Sequence, residues 1–204
     1  MSEPKVGLTQ FLDFTLKQSG GSRTNHVRKV KNSEYSPATD YWRMLRNEIK
    51  NIHKENANLD ALDQLPDRVS ESKRENYKNA VRLYKKCLKG HDVRWFEPSK
   101  SIWKFNDELL VRSSPELGLY IDGVPHAIKL YFKGNKQKVD IRNIQSTLTL
   151  LNTSDFESSL PENTVFSVLN IQRNKLYTSK TVNDDLLLSL EGEAMNFLHI
   201  WNRI

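Results

Sequence analysis

The chain has 204 residues, 37% of them hydrophobic, and a mean hydropathy of -0.65. Its apolar residues are clustered, which argues against disorder throughout and allows one full domain or a small domain with an appendage. No apolar run approaches the roughly 20 residues of a membrane span, no basic start precedes an apolar stretch, and Cys87 is the only cysteine. A transmembrane helix, a secretory signal, an internal disulfide and a thiolate metal cluster are therefore not expected, and the expected location is cytoplasmic. The formal charge of +6 is unevenly spread: residues 1–100 carry 20 Lys and Arg against 13 Asp and Glu, residues 101–204 carry 11 against 12. Such asymmetry fits a basic surface facing a polyanion, or equally a solvated helical face.

Residues 1–100 read as a helical, basic N-terminal region. Thr9 is expected to cap a short helix over "QFLDFTLKQ", with Gly20 and Gly21 ending it. "SRTNHVRKVK" is basic and lacks helical periodicity. Ser36-Pro37 is expected to open a second helix with Trp42, Leu45, Ile49 and Ile52 on one face. A polar stretch, "NANLDALDQLPDRVSE", interrupts. A third helix over "SKRENYKNAVRLYKKCLKG" places Tyr77, Ala80, Val81, Tyr84 and Leu88 on one stripe, and Gly90 stops it.

From Ser101 the hydrophobic period falls from about 3.6 to 2. "SIWKF" and "ELLVRS" flank an Asn106-Asp107 turn, and "ELGLYI" and "HAIKLYF" flank "DGVP". Asp140 is read as the N-cap of a helix bearing Ile141, Ile144, Leu148 and Leu151. "TVFSVLNI" is a near-continuous apolar strand, turned by "RN" into "KLYTS", and Asn183 begins a last helix with Leu187, Leu190, Ala194, Phe197 and Trp201 inward. The expected fold is α+β: a mixed central sheet over residues 101–204 flanked by helices, with residues 1–100 packed on it. Leu117, Leu119, Ile128 and Leu130 are expected to face Ile144, Leu148 and the last helix.

Strand alternation sets Glu116 and Lys129 on the other, less apolar face. A two-residue Asp122-Gly123 loop puts them directly opposite, and a four-residue loop sets them diagonally. Pro115-Glu116, Lys129 and the helix over Asp140–Leu151 together resemble the core of the PD-(D/E)xK nuclease-like fold over residues 100–172. The resemblance implies a metal-dependent phosphodiesterase site, with Glu116 and Lys129 as catalytic residues and Glu116 as a Mg²⁺ ligand. The family's second strand carboxylate would stand at position 127, where this chain has Ala127. Two carboxylates hold the hard cation that activates water, so one alone implies weak Mg²⁺ binding and little cleavage. Asp122, or Glu71 or Glu75 on the preceding helix, are alternative acids. A solvated cross-strand Glu–Lys pair is the competing reading.

Basic residues interleaved with aromatics form the other candidate site: Arg23, Arg28, Lys29, Lys31, Arg43, Arg46, Lys85 and Lys86 as contacts to DNA or RNA phosphates, near Tyr41 and Trp42. Trp42 also belongs to an apolar stripe, which assigns it to the core. His26, His53, His91, His126 and His199 show no metal-ligand spacing, and Cys87 is read as a packing residue. The leading expectation is a nucleic-acid-binding protein with a weak or inactive nuclease-like centre. A non-enzymatic module that docks a protein partner is the alternative.

Overall fold

The computed structural model describes residues 3–18, 20–33, 40–133, 139, 141–179 and 181–204. The expected caps at Ser36-Pro37 and Asp140 lie outside these residues. The fold is α+β, with two sheets and helices on both faces of the larger one. That sheet has five strands, ordered β2 (Val93–Phe96), β5 (Leu117–Ile121), β6 (Val124–Tyr131), β8 (Val165–Asn170) and β9 (Lys175–Thr178). β6 and β8 run parallel and the other neighbours antiparallel. The helix α5 (Ile141–Asn152) makes the crossover between the parallel pair, as a parallel connection requires.

The single mixed sheet expected from Ser101 onward is thus two sheets. Between β2 and β5 the chain leaves for a smaller sheet ordered β1 (Lys5–Gly7), β4 (Leu109–Arg112), β3 (Ser101–Phe105) and β7 (Asp155–Phe156). β1 and β2 both come from the first hundred residues, so that region contributes a strand to each sheet.

Alternation along the central strands sends successive side chains into two different cores. Leu117, Leu119, Ile128, Leu130 and Leu169 pack with α3 (Arg43–Lys54), α4 (Glu71–Leu88) and a 3₁₀ segment over Leu59–Arg68. Tyr131, Val168 and Tyr177 pack on the opposite side with α5, α6 (Asp184–Trp201) and α1 (Leu8–Thr15). This corrects the expected contact of Leu117, Leu119, Ile128 and Leu130 with Ile144, Leu148 and the last helix. The face assignments by alternation hold, but the covering helices are the earlier ones. β8 is internal, with Val168 in one core and Leu169 in the other, in agreement with its near-continuous apolar run.

The stripes of α3, α4 and α6 are buried along most of their length as their spacing predicts, with Trp42, Leu187 and Trp201 half-buried, and Asn183 caps α6 by accepting from the Leu186 amide at 3.0 Å. Four expectations change. α1 begins at Leu8 and ends at Thr15, with Gln10 Oε1 accepting from the Gly7 amide at 2.7 Å, so Thr9 is inside the helix. Gly20, at φ 87°, opens a second helix instead of closing the first. The segment read as non-helical is that helix, α2 (Gly21–Asn32); it buries only Val27 fully, which is why it shows no periodicity. Ile141, assigned to the core of α5, is 43% exposed. Among the described residues no helix is long and apolar enough to cross a membrane.

One buried polar contact has a pH consequence. His53 on α3 shares a 2.6 Å hydrogen bond with the hydroxyl of Tyr84, which is fully buried on α4. Burial disfavours the imidazolium and lowers the His53 pKa from 6.5 to about 4. Between those values the unfolded chain binds a proton that the folded one refuses, so stability rises with pH. Stability should therefore fall as pH drops from 6.5 toward 4, by an amount on the order of 2 kcal/mol from this group. Urea denaturation across that range, with His53→Gln, checks it: the variant should show a shallower slope, and an unchanged slope would remove His53 as the cause.

Candidate functional site

The β5–β6 hairpin closes through Asp122 and Gly123, whose φ values of 50° and 85° fit a two-residue turn. Ile121 pairs with Val124 and Leu117 with Ile128, and the Glu116 amide donates to the Ile128 carbonyl at 2.9 Å. Of the two registers open in the sequence, this is the direct one. Glu116 faces Lys129 across the strands, and they form an ion pair between Lys129 Nζ and Glu116 Oε1.

The second oxygen, Oε2, accepts from the Leu130 amide at 2.9 Å. Both oxygens are thus engaged by the chain itself. The side chains are 7% exposed for Lys129 and 21% for Glu116. This is not the solvated surface pair of the competing reading, because the ammonium is out of water. At the position of the missing acid, Ala127 is fully buried opposite Gly118. A Cβ on Gly118 would lie 2.4 Å from the Phe96 carbonyl oxygen and 2.7 Å from its ring, so Phe96, its ladder partner on β2, occupies the space beside the glycine.

The alternative acids do not complete the pair. Asp122 accepts from the Asp92 amide at 2.9 Å and contacts His91 Nδ1 at 2.6 Å. It sits at the hairpin tip, roughly 20 Å along the strand from Glu116 at about 3.3 Å per residue. Glu71 and Glu75 are exposed on α4, and α4 covers the opposite face of the sheet. Among the described residues no three His, Cys, Asp or Glu side chains are grouped to hold a metal. Engaged oxygens on Glu116 and an alanine at 127 do not fit a Mg²⁺ centre, which needs several free oxygen ligands.

The eight basic candidates divide into two sets. Arg23 is paired with Glu193 at 2.8 Å and lies over the Phe14 ring. Lys31 donates to the Trp201 and Ile204 carbonyls at the end of α6. Arg46 is paired with Asp40, and Lys85 with Asp60 and Asp63 at 2.7 Å each. The Lys85 ammonium holds the Asp60 carboxyl below its usual range. Arg28 contacts only the neighbouring Asn25, at 3.1 Å, among the described residues. Lys29, Arg43 and Lys86 are exposed.

Sequence reasoning missed a cleft of about 960 Å³ at the carboxyl ends of β6 and β8. One wall comes from α1 and α2, including Lys17, Asn25, His26 and Lys29. The other carries Tyr41, Trp42, Asn76, Phe132 and Gln172. At its base Asp13 accepts from the Tyr131 hydroxyl at 3.1 Å and is paired with Lys133, which ties α1 to the end of β6. Lys129, Tyr131 and Lys133 share one strand face at period 2, a signal that was available; Asp13 was hidden on an apolar helix. In comparisons with known proteins, no family model and no curated protein matches the chain.

The hairpin pair generates a stability test. Glu116→Ala leaves the buried Lys129 ammonium without its partner and should cost about 3 kcal/mol. Lys129→Met leaves an acid that is partly solvated and still bonded to the Leu130 amide, so it should cost less. Chemical denaturation of both variants measures this. Losses no larger than those of an exposed pair, about 0.5 kcal/mol in each, would show that the pair is not a structural element.

Proposed function

We propose that the chain is a cytoplasmic nucleic-acid-binding protein on a PD-(D/E)xK nuclease-like sheet that does not cleave its ligand. The observation that carries the non-cleaving reading is the engagement of both Glu116 oxygens, by Lys129 and the Leu130 amide, beside Ala127. The element order α4, β2, β5, β6, α5, β8, with β6 and β8 parallel, supports the nuclease-like likeness. The basic excess of residues 1–100 and the exposure of Arg28, Lys29, Arg43 and Lys86 support a polyanionic partner, DNA or RNA. One observation favours the second reading, a protein-docking module. Arg23, Arg46 and Lys85 are neutralised by internal carboxylates and Lys31 is engaged by backbone carbonyls, while Leu188 and Met195 on α6 are 69% and 61% exposed.

Two experiments test the proposal. Replacing Arg28, Lys29, Arg43 and Lys86 with Ala should weaken binding to duplex DNA. It should also flatten the slope of log K against log salt by roughly 0.9 for each phosphate no longer neutralised. Replacing Arg23, Lys31, Arg46 and Lys85 should instead lower stability and leave the salt slope nearly intact. A salt slope that the first set does not move, or no binding to DNA or RNA by the wild type, overturns the nucleic-acid reading.

The second experiment concerns the metal. Ala127→Glu places a carboxylate in a buried position and should lower the unfolding temperature. On a backbone with nuclease-like geometry, Mg²⁺ should restore part of that loss, because the ion neutralises the new acid. The wild type should show no Mg²⁺-dependent shift and no cleavage. Tight Mg²⁺ binding with DNA cleavage by the wild type would refute the non-cleaving reading, and an Ala127→Glu protein indifferent to Mg²⁺ would limit the likeness to the order of elements.

A further inference from the structure

The cleft between α1/α2 and the aromatic wall has walls of different chemistry. On the α1/α2 side, Lys17 and Lys29 make no ion pair among the described residues. His26 lies between them in the cleft lining. Its Nε2 bonds the Gln10 carbonyl at 2.8 Å, a contact that requires the proton on Nε2 and turns Nδ1 away from that bond. Two unpaired ammonium groups and an imidazole on one wall form a site for an anion, and their density favours a phosphate over a single carboxylate.

The opposite wall is apolar with a polar rim. Trp42 is stacked between Tyr77 at 5.2 Å and Phe132 at 5.0 Å, and Tyr41 meets it edge-on at 4.8 Å. Both ring faces of Trp42 are occupied, so this wall is a rigid block presenting aromatic edges and the Tyr41 ring. At its rim, Asn76 Nδ2 donates to the Tyr41 hydroxyl at 2.8 Å, which directs its carbonyl elsewhere. Gln172 Oε1 accepts from Asn79 at 3.4 Å, which directs its amide NH₂ elsewhere. Among the described residues this leaves one spare acceptor and one spare donor at the edge of an aromatic block, which match the hydrogen-bonding edge of a heteroaromatic base. The cleft's volume lies within the range of small-ligand sites, and the carboxyl ends of strands are where open α/β sheets receive ligands.

We propose that this cleft binds a nucleoside phosphate, its phosphate on Lys17 and Lys29 and its base against the Tyr41–Trp42–Phe132 block between Asn76 and Gln172. The proposal goes beyond the hairpin reading, since no cleft residue belongs to the Glu116–Lys129 pair. The same chemistry is offered by a free nucleotide and by one nucleotide of a single strand.

Calorimetric titration with AMP, adenosine and inorganic phosphate, and fluorescence anisotropy with a short labelled oligothymidylate, separate these cases. The expected result is saturable binding of AMP or of the oligonucleotide. Lys17→Ala/Lys29→Ala should weaken it at least about tenfold, as loss of charged hydrogen bonds implies, and Asn76→Ala/Gln172→Ala should weaken it further while thermal unfolding is unchanged. AMP bound more tightly than both adenosine and phosphate assigns the cleft to free nucleotides. Oligonucleotide binding alone, lost in the same variants, assigns it to a strand. Oligonucleotide binding that survives Lys17→Ala/Lys29→Ala but is lost in Arg43→Ala/Lys86→Ala overturns the cleft and leaves the nucleic-acid reading standing. No binding of any of these probes to the wild type overturns the cleft as well.

Discussion

Asp122 and Gly123, both at positive φ, close the β5–β6 hairpin with no residue to spare. A strand has a side-chain period of two, so a slip of one position would exchange the two faces of β6. In the observed register Ile128 and Leu130 enter the core under α3 and α4, and Tyr131 enters the core under α5 and α6. β6 is the partner of both β5 and β8, so the register set at the turn is carried across the sheet. The meeting of Glu116 with Lys129 and the projection of Tyr131 and Lys133 toward Asp13 follow from the same turn. Asp122 is itself fixed by His91 and the Asp92 amide, which anchors the tip to the end of β2.

Charge in this molecule is organised more for internal structure than its total suggests. A net of +6 with a basic N-terminal half reads as a polyanion surface, yet Arg23, Lys31 and Lys85 each join segments distant in sequence and Arg46 is held by the nearby Asp40. Lys129 is the extreme case, held out of water against Glu116. An exposed cation is available to a phosphate at little cost, whereas a paired one must first give up its partner. The cations left in solvent, not the sum over the sequence, set what a ligand encounters.

Much of the fold was legible, and the exceptions have physical reasons. The helices α3, α4 and α6 bury wide apolar stripes, and the hairpin carries a turn dipeptide with a specific geometry; both are local signals. α2 buries only Val27 fully and therefore lacks the stripe that would reveal it. The split into two sheets was not legible, because alternation shows which residues share a face and not which strands pair. The Glu116–Lys129 contact was legible from register alone, but its burial was not, since that depends on tertiary packing over the sheet face. The cleft draws residues from α1, α2, the segment before α3, α4 and the chain just past the ends of two strands, and none of these segments carries the pattern by itself.

The core that holds α1 and α2 brings α6 onto them, beside residues from Trp103 to Tyr177. Phe11 and Phe14 contact Phe197, and the Arg23–Glu193 pair spans 170 residues. Loop-closure entropy makes such contacts late events in folding, whereas the other core draws its residues from Leu45 to Ile171 and can collapse around α3, α4 and the hairpin. A chain that emerges from its N-terminus must carry the side of α1 that meets Phe197 uncovered until α6 has been made. α1 thus waits longest for its last partner in this core, and this is the interval in which the protein is most exposed to misassociation.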